Sequence, residues 1–166
     1  LLTVISLFLG LTLKANIITV ANTDDAGIGT LRQAVLDANA GDTITFNSNI
    51  NGNIILLTGS EIIITQTLVI IGNGQDSTII DGNANSRIFN ITAGADSVNI
   101  NQLTIQNGYS TSLGGGIYSN SPSITITNST ISGNTSSSNG GGISSFSNSF
   151  SPSITITNST ISGNTS

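Results

Sequence analysis

Ser121–Ser136 reads SPSITITNSTISGNTS, and Ser151–Ser166 repeats the same sixteen residues. A diverged copy precedes both. Val98–Ile117 aligns with Ile124–Ile143 at an offset of 26, setting Ile100 on Ile126, Ile105 on Ile131 and Gly114–Ile117 on Gly140–Ile143. The identical blocks lie 30 apart because four residues are inserted between Ser144 and Phe150. A period of this size marks a solenoid, a propeller or an array of small units.

The local period selects among these. Ser-Ile-Thr-Ile-Thr-Asn alternates apolar and polar residues, as do Thr43–Phe46 and Val98–Asn101, so each is a strand with one buried face. Runs of similar length recur at Ile54–Leu57, Ile62–Ile64, Leu68–Ile71, Thr78–Ile80 and Ile88–Ile91, punctuated by Gly, Asn, Asp and Ser. A propeller blade needs ~40–45 residues, and a leucine-rich repeat needs Leu and Asn at offsets missing here. Three short strands and three turns per coil satisfy the spacing. The fold class is therefore all-β, a parallel β-helix in which each Ile stacks on an Ile about 4.8 Å above it. Ile126 and Ile156 are expected buried in successive coils, with Asn128 and Asn158 stacked as a ladder.

Composition agrees and excludes much else. Charged residues are 7% of the chain, namely Lys14, Arg32 and Arg87 against seven Asp and Glu61, for a net charge of −5. Nucleic-acid binding needs cations to displace counterions, so no nucleic-acid partner is expected. Without Cys or His, zinc sites, disulfides and Ser–His or Cys–His nucleophiles are excluded. Ser97–Ser166 holds no charge at all. Like charges stacked one coil apart repel.

Three segments follow along the chain. Residues 1–15 read as the remnant of a secretory signal peptide: Leu1–Leu13 is apolar, too short to span a bilayer, and ends in Leu13-Lys14-Ala15 with a small residue. Residues 16–53 read as an N-terminal cap with a helix at about 31–39, where Thr30 and Gln33 form a capping box and Leu31, Ala34, Val35 and Ala38 mark one face. Such a helix suits the open end of a barrel. Residues 54–166 read as coils truncated at the C-terminus, the last repeat having no cap after it.

Gly29-Thr30-Leu31-Arg32-Gln33-Ala34, followed by Asp37-Ala38-Asn39 and Gly41–Phe46, resembles the N-terminal segment of secreted bacterial right-handed β-helix proteins. That segment carries a Cys-Ser-Leu-Arg-Glu-Ala signature, from which Gly29, Thr30 and Gln33 depart. The repeats resemble those of the polymorphic outer membrane proteins, where Phe-x-x-Asn accompanies Gly-Gly-Ala-Ile; here Ile131-x-x-Asn134 accompanies Gly140–Ile143. Ile105-x-x-Gly108 lacks the Asn, and Ile161-x-x-Asn164 has no glycines after it. The resemblance implies the pectate-lyase-like superfamily, a right-handed coil, and a secreted or outer-membrane surface protein with no catalytic residues to carry over.

Apparent motifs mostly reduce to turns. Gly72–Ser77 imitates a dinucleotide loop, but β-branched Thr78-Ile79-Ile80 opens no helix. Asp81, Asn83 and Asn85 have the spacing of a calcium loop, yet Ser86 stands for its Gly and Thr92 for its Glu. No metal or cofactor is expected. The sequons at Asn90, Asn128 and Asn158 arise from composition.

Three function classes stay open. An adhesin or structural stalk needs no chemistry. A polysaccharide lyase or glycoside hydrolase needs facing carboxylates or an Arg base; the weak catalytic candidates are Asp76, Asp81 and Asp96, with Arg87 the one cation beyond the helix. An ice-binding surface would use the outward Thr125, Thr127, Thr155 and Thr157, although Asn99 and Asn101 replace them one coil earlier. Binding is expected at Phe146 and Phe150, aromatic residues at the insertion, toward a glycan or a host or cell-surface ligand. If the signal reading holds, N-terminal sequencing of exported protein should start at or just after Ala15; a mature chain beginning at or before Leu13 would contradict it.

Overall fold

The computed structural model describes residues 14–147 and 151–166, so the apolar segment Leu1–Leu13 lies outside the described residues. The chain winds as a parallel β-solenoid of about six turns. The first sheet stacks Ile17–Val20, Thr43–Phe46, Leu68–Ile71, Ser97–Asn101, Ser123–Thr127 and Ser153–Thr157. The second stacks Ile54–Leu56, Ile79–Asp81, Thr104–Gln106, Thr130–Ser132 and Thr160–Ser162. The third stacks Ile62–Ile64, Phe89–Ile91, Ile117–Ser119 and Ile143–Ser145. Residues 16–53, read as a cap, thus supply the first two rungs of the first sheet as well as the helix.

The register follows the repeat. Ile100, Ile126 and Ile156 occupy one column, and Ile105, Ile131 and Ile161 another. Ile100, Ile126, Ile105 and Ile131 are fully buried, while alternate residues of the same strands face outward. Ile156 departs from its expected burial. It sits on Ile126 but is 40% exposed, because the final rung has a coil on one side only. A strand residue in a solenoid is covered by neighbours on both sides.

The asparagine ladder also lies elsewhere than expected. Asn128 and Asn158 take left-handed backbone angles, φ 49° and 50°, at the corner between the first and second sheets. Asn128 is exposed and donates to Asn101 Oδ1 of the preceding coil at 3.2 Å, not to Asn158. The internal ladder runs through Asn134 and Asn164. Asn134 Nδ2 donates to Asn164 Oδ1 (2.9 Å) and to the carbonyl of Ile105 (3.2 Å), and its Oδ1 accepts the Gly108 N–H at 2.8 Å. Asn164 Nδ2 likewise reaches the Ile131 carbonyl at 2.9 Å. Room for these amides comes from glycine: a Cβ on Gly116 would lie 3.0 Å from Asn134 Cγ, and one on Gly142 at the same distance from Asn164 Cγ. The Asn of one repeat and the glycine triplet of the repeat before it are thus one packing unit.

The helix, Leu31–Asp37, follows the first rung and turns Leu31, Ala34 and Val35 into the core. Only half of the capping box forms. Thr30 Oγ1 accepts the Gln33 N–H at 3.2 Å, but the Gln33 side chain bonds Asp37, since the Thr30 N–H is taken by the Gly27 carbonyl. At the other end Gln66 Nε2 caps the carbonyls of Val35 and Ala38. Arg32 then shields the edge, bonding Asp25 Oδ1 (2.6 Å) and the carbonyls of Ser60 and Glu61. Among the described residues no helix is long and apolar enough to cross a membrane.

Two carboxylates fasten this end. Burial acts to raise the Asp25 pKa, but the Arg32 guanidinium and the Thr58 N–H and hydroxyl outweigh it and hold it below the ordinary value. The N–H groups of Asn16 and Asn39 lower Asp42 in the same direction. Because both folded pKa values are depressed, their stabilisation is complete above the unfolded value near 3.9 and is lost as pH falls through the folded values. Thermal melts should be level between neutral pH and about pH 5 and fall below about pH 4. Asp25→Asn should melt lower at neutral pH and converge on the wild type in acid. Core and surface columns should separate equally clearly: Ile126→Asp should cost about 3–5 kcal/mol, and Thr125→Asp far less. Equal melting shifts for the two would show the faces wrongly assigned.

Candidate functional site

The solenoid has three corners, and the three candidate aspartates fall one to each. Asp76 is exposed on the turn from the first sheet to the second, and Asp96 is exposed on the turn from the third back to the first. Asp81 ends a strand of the second sheet and opens the corner to the third. The fold does not bring them together, so no facing pair of these carboxylates exists.

Asp81 itself is a fastening group. Its Oδ1 accepts the Asn83 N–H at 2.7 Å, and its Oδ2 accepts from Gln106 Nε2 (2.8 Å) and Asn107 Nδ2 (2.7 Å) one coil away. The resemblance of Asp81, Asn83 and Asn85 to a cation loop resolves into this turn, with the carboxylate directed at N–H donors. Among the described residues no three His, Cys, Asp or Glu side chains gather as a metal site.

The corner after the second sheet nevertheless makes a groove. Chain direction changes there through left-handed residues, Asn83 (φ 54°), Ala84 (φ 51°), Asn107 (φ 54°) and Gly133 (φ 64°). Asn and Gly accept this readily; Ala84 costs about 1–2 kcal/mol, offset by its N–H donating to the Asn107 carbonyl at 2.7 Å. The turns leave a depression of about 410 Å³ lined by Leu56, Asp81, Asn83, Asn107, Tyr109 and Thr135. Tyr109 also borders a second depression with Glu61, Arg87 and Ser112.

Arg87 holds the wall between them. Its Nη1 pairs with Glu61 Oε2 at 2.5 Å, Nη2 donates to Ser110 Oγ and the Leu113 carbonyl, and Nε donates to the Gly114 carbonyl. The guanidinium also lies 5.2 Å from the ring centroid of Tyr118. Arg87, the one cation beyond the helix, is a partly buried clamp across neighbouring coils. Glu61 is completed by Asn90 Nδ2 at 2.6 Å.

Phe146 lies beyond this wall. It follows the rung Ile143–Ser145, is 52% exposed, and lines a shallow depression with Leu113 and Ser144. Ser144 is the rung partner of Tyr118, so the two rings sit diagonally on the outer face of the third sheet. Phe150 lies outside the described residues. Phe46 and Phe89 are core residues. The described aromatics outside the core are linked through Arg87: Tyr109 borders its depression, Tyr118 lies against its guanidinium, and Phe146 shares a depression with Leu113, whose carbonyl Arg87 bonds. Sequence reasoning passed over Tyr109, Tyr118 and the Glu61–Arg87 pair. The offset of 26, which sets Gly108-Tyr109 on Asn134-Thr135 at the corner, was the available signal for Tyr109. No protein-family model, curated protein or solved structure matches the chain.

Proposed function

We propose that this chain is an extracellular surface module, an adhesin or spacer, that holds a carbohydrate on the flank running from the corner after its second sheet across the outer face of its third. The observation that carries the reading is the gathering of Tyr109, Tyr118 and Phe146 on that flank. Aromatic rings offer large rigid contact area with little conformational entropy to lose, and they stack on the apolar faces of sugar rings. Export outside the cell rests on the apolar Leu1–Leu13, and the repeat resemblance to polymorphic outer membrane proteins points the same way.

The competing chemistries find less support. Asp76, Asp81 and Asp96 occupy separate corners, and the Arg87 a lyase would use as a base is already bonded to four oxygens, of Glu61, Ser110, Leu113 and Gly114. On the first sheet the outward threonine columns are interrupted by Val69 and Ile71, then by Asn99 and Asn101, so no single side-chain lattice runs its length.

The test is Phe146→Ser. Its ring is half exposed and fills no core site, so the melting temperature should stay within about 0.5 kcal/mol of wild type in stability terms. Retention on glycan-bearing surfaces should fall about threefold to tenfold. Unchanged retention would remove Phe146 from the contact, and a matching loss of stability would make it part of the fold.

A further inference from the structure

Resting on that reading, we infer that the carbohydrate is an uncharged polysaccharide lying along the solenoid axis in the groove beside Tyr109. Direction comes from the register. Leu56, Asp81, Gln106 and Ser132 are successive rung partners, and the groove is lined from all four of their coils. At about 4.8 Å per coil it extends for roughly 14 Å, enough for a short stretch of an extended sugar chain.

Charge decides the class. Three ionised side chains border the flank, and each is already matched. Asp81 accepts three N–H donors, and Glu61 and Arg87 neutralise one another while Arg87 also donates to Ser110, Leu113 and Gly114. A uronate chain would arrive with a carboxylate on each sugar and meet no unengaged cation. Its desolvation would go uncompensated, against a protein of net charge −5. A cationic chain fares no better, since neither carboxylate is unengaged. The groove does offer the half-buried Tyr109 ring, the exposed Asn83 amide and the Thr135 hydroxyl, donors and acceptors suited to sugar hydroxyls.

The test immobilises a neutral β-glucan, a neutral mannan and polygalacturonate and measures retention of the full chain at low and high salt. Retention on a neutral polymer that salt does not weaken is expected, with none on polygalacturonate. Tyr109→Ala should weaken it about fivefold to tenfold, and Tyr109→Phe, which keeps ring and rung, should bind as wild type. Retention on polygalacturonate that fades with salt would overturn the neutral assignment and leave the carbohydrate reading standing. Undiminished retention by Tyr109→Ala would overturn the placement in this groove. Retention on none of the three would overturn the inference and the carbohydrate reading together.

Discussion

Every strand position in the described coils has to tolerate a neighbour about 4.8 Å away in the next coil, and that single spacing governs the rest. Where the stacked residues are Ile, as in the Ile100–Ile126 column, each coil completes the burial of the last. Where they are ionised, stacking would set like on like, and Ser97–Ser166 contains no charged residue. The charges that remain lie earlier in the chain, and those withdrawn from solvent are matched individually: the partly buried Asp25 by Arg32 and Glu61 by Arg87, and the buried Asp42 and Asp81 by N–H donors.

The same spacing makes buried amides an asset. Asn134 spends its side chain on the coil below, through Ile105 and Gly108, and on the coil above, through Asn164. An amide in this place is worth having only if every hydrogen bond is met, because an unpaired one in the core costs about 1–3 kcal/mol. That requirement explains the glycines. Gly116 and Gly142 leave out the Cβ that would strike the amide group, and Gly108 leaves space where Asn134 points down. The earliest of the three repeats has Gly where the others have Asn, and the ladder ends there.

Corners escape the strict alternation of strands, and the candidate site forms at one. The turn from the second sheet to the third accepts exposed aromatic and polar side chains because they contact neighbours on one side only. Arg87 gives the flank its rigidity. It joins Glu61, Ser110, Leu113 and Gly114 across coils and sits against Tyr118, so the surface between Tyr109 and Phe146 is held by hydrogen bonds rather than by burial.

The sequence by itself determined the parallel coil, the columns of Ile and the helix at the N-terminal end, because these depend on a period of two within strands and about 26 between them. The insertion marked Phe146 as a ring at a loop, but that the ring is half exposed came from the fold. Only the tertiary structure decided which asparagines form the internal ladder, since Asn128 and Asn134 look alike in the repeat and differ only in whether the backbone turns them out or in. It also separated Asp76, Asp81 and Asp96, which lie within a short stretch of chain yet fall on three corners. Pairings such as Glu61 with Arg87 join residues 26 apart whose partner choice depends on side-chain reach between coils. Periodicity specifies which residues share a column; it carries no information about contacts that cross from one column to another.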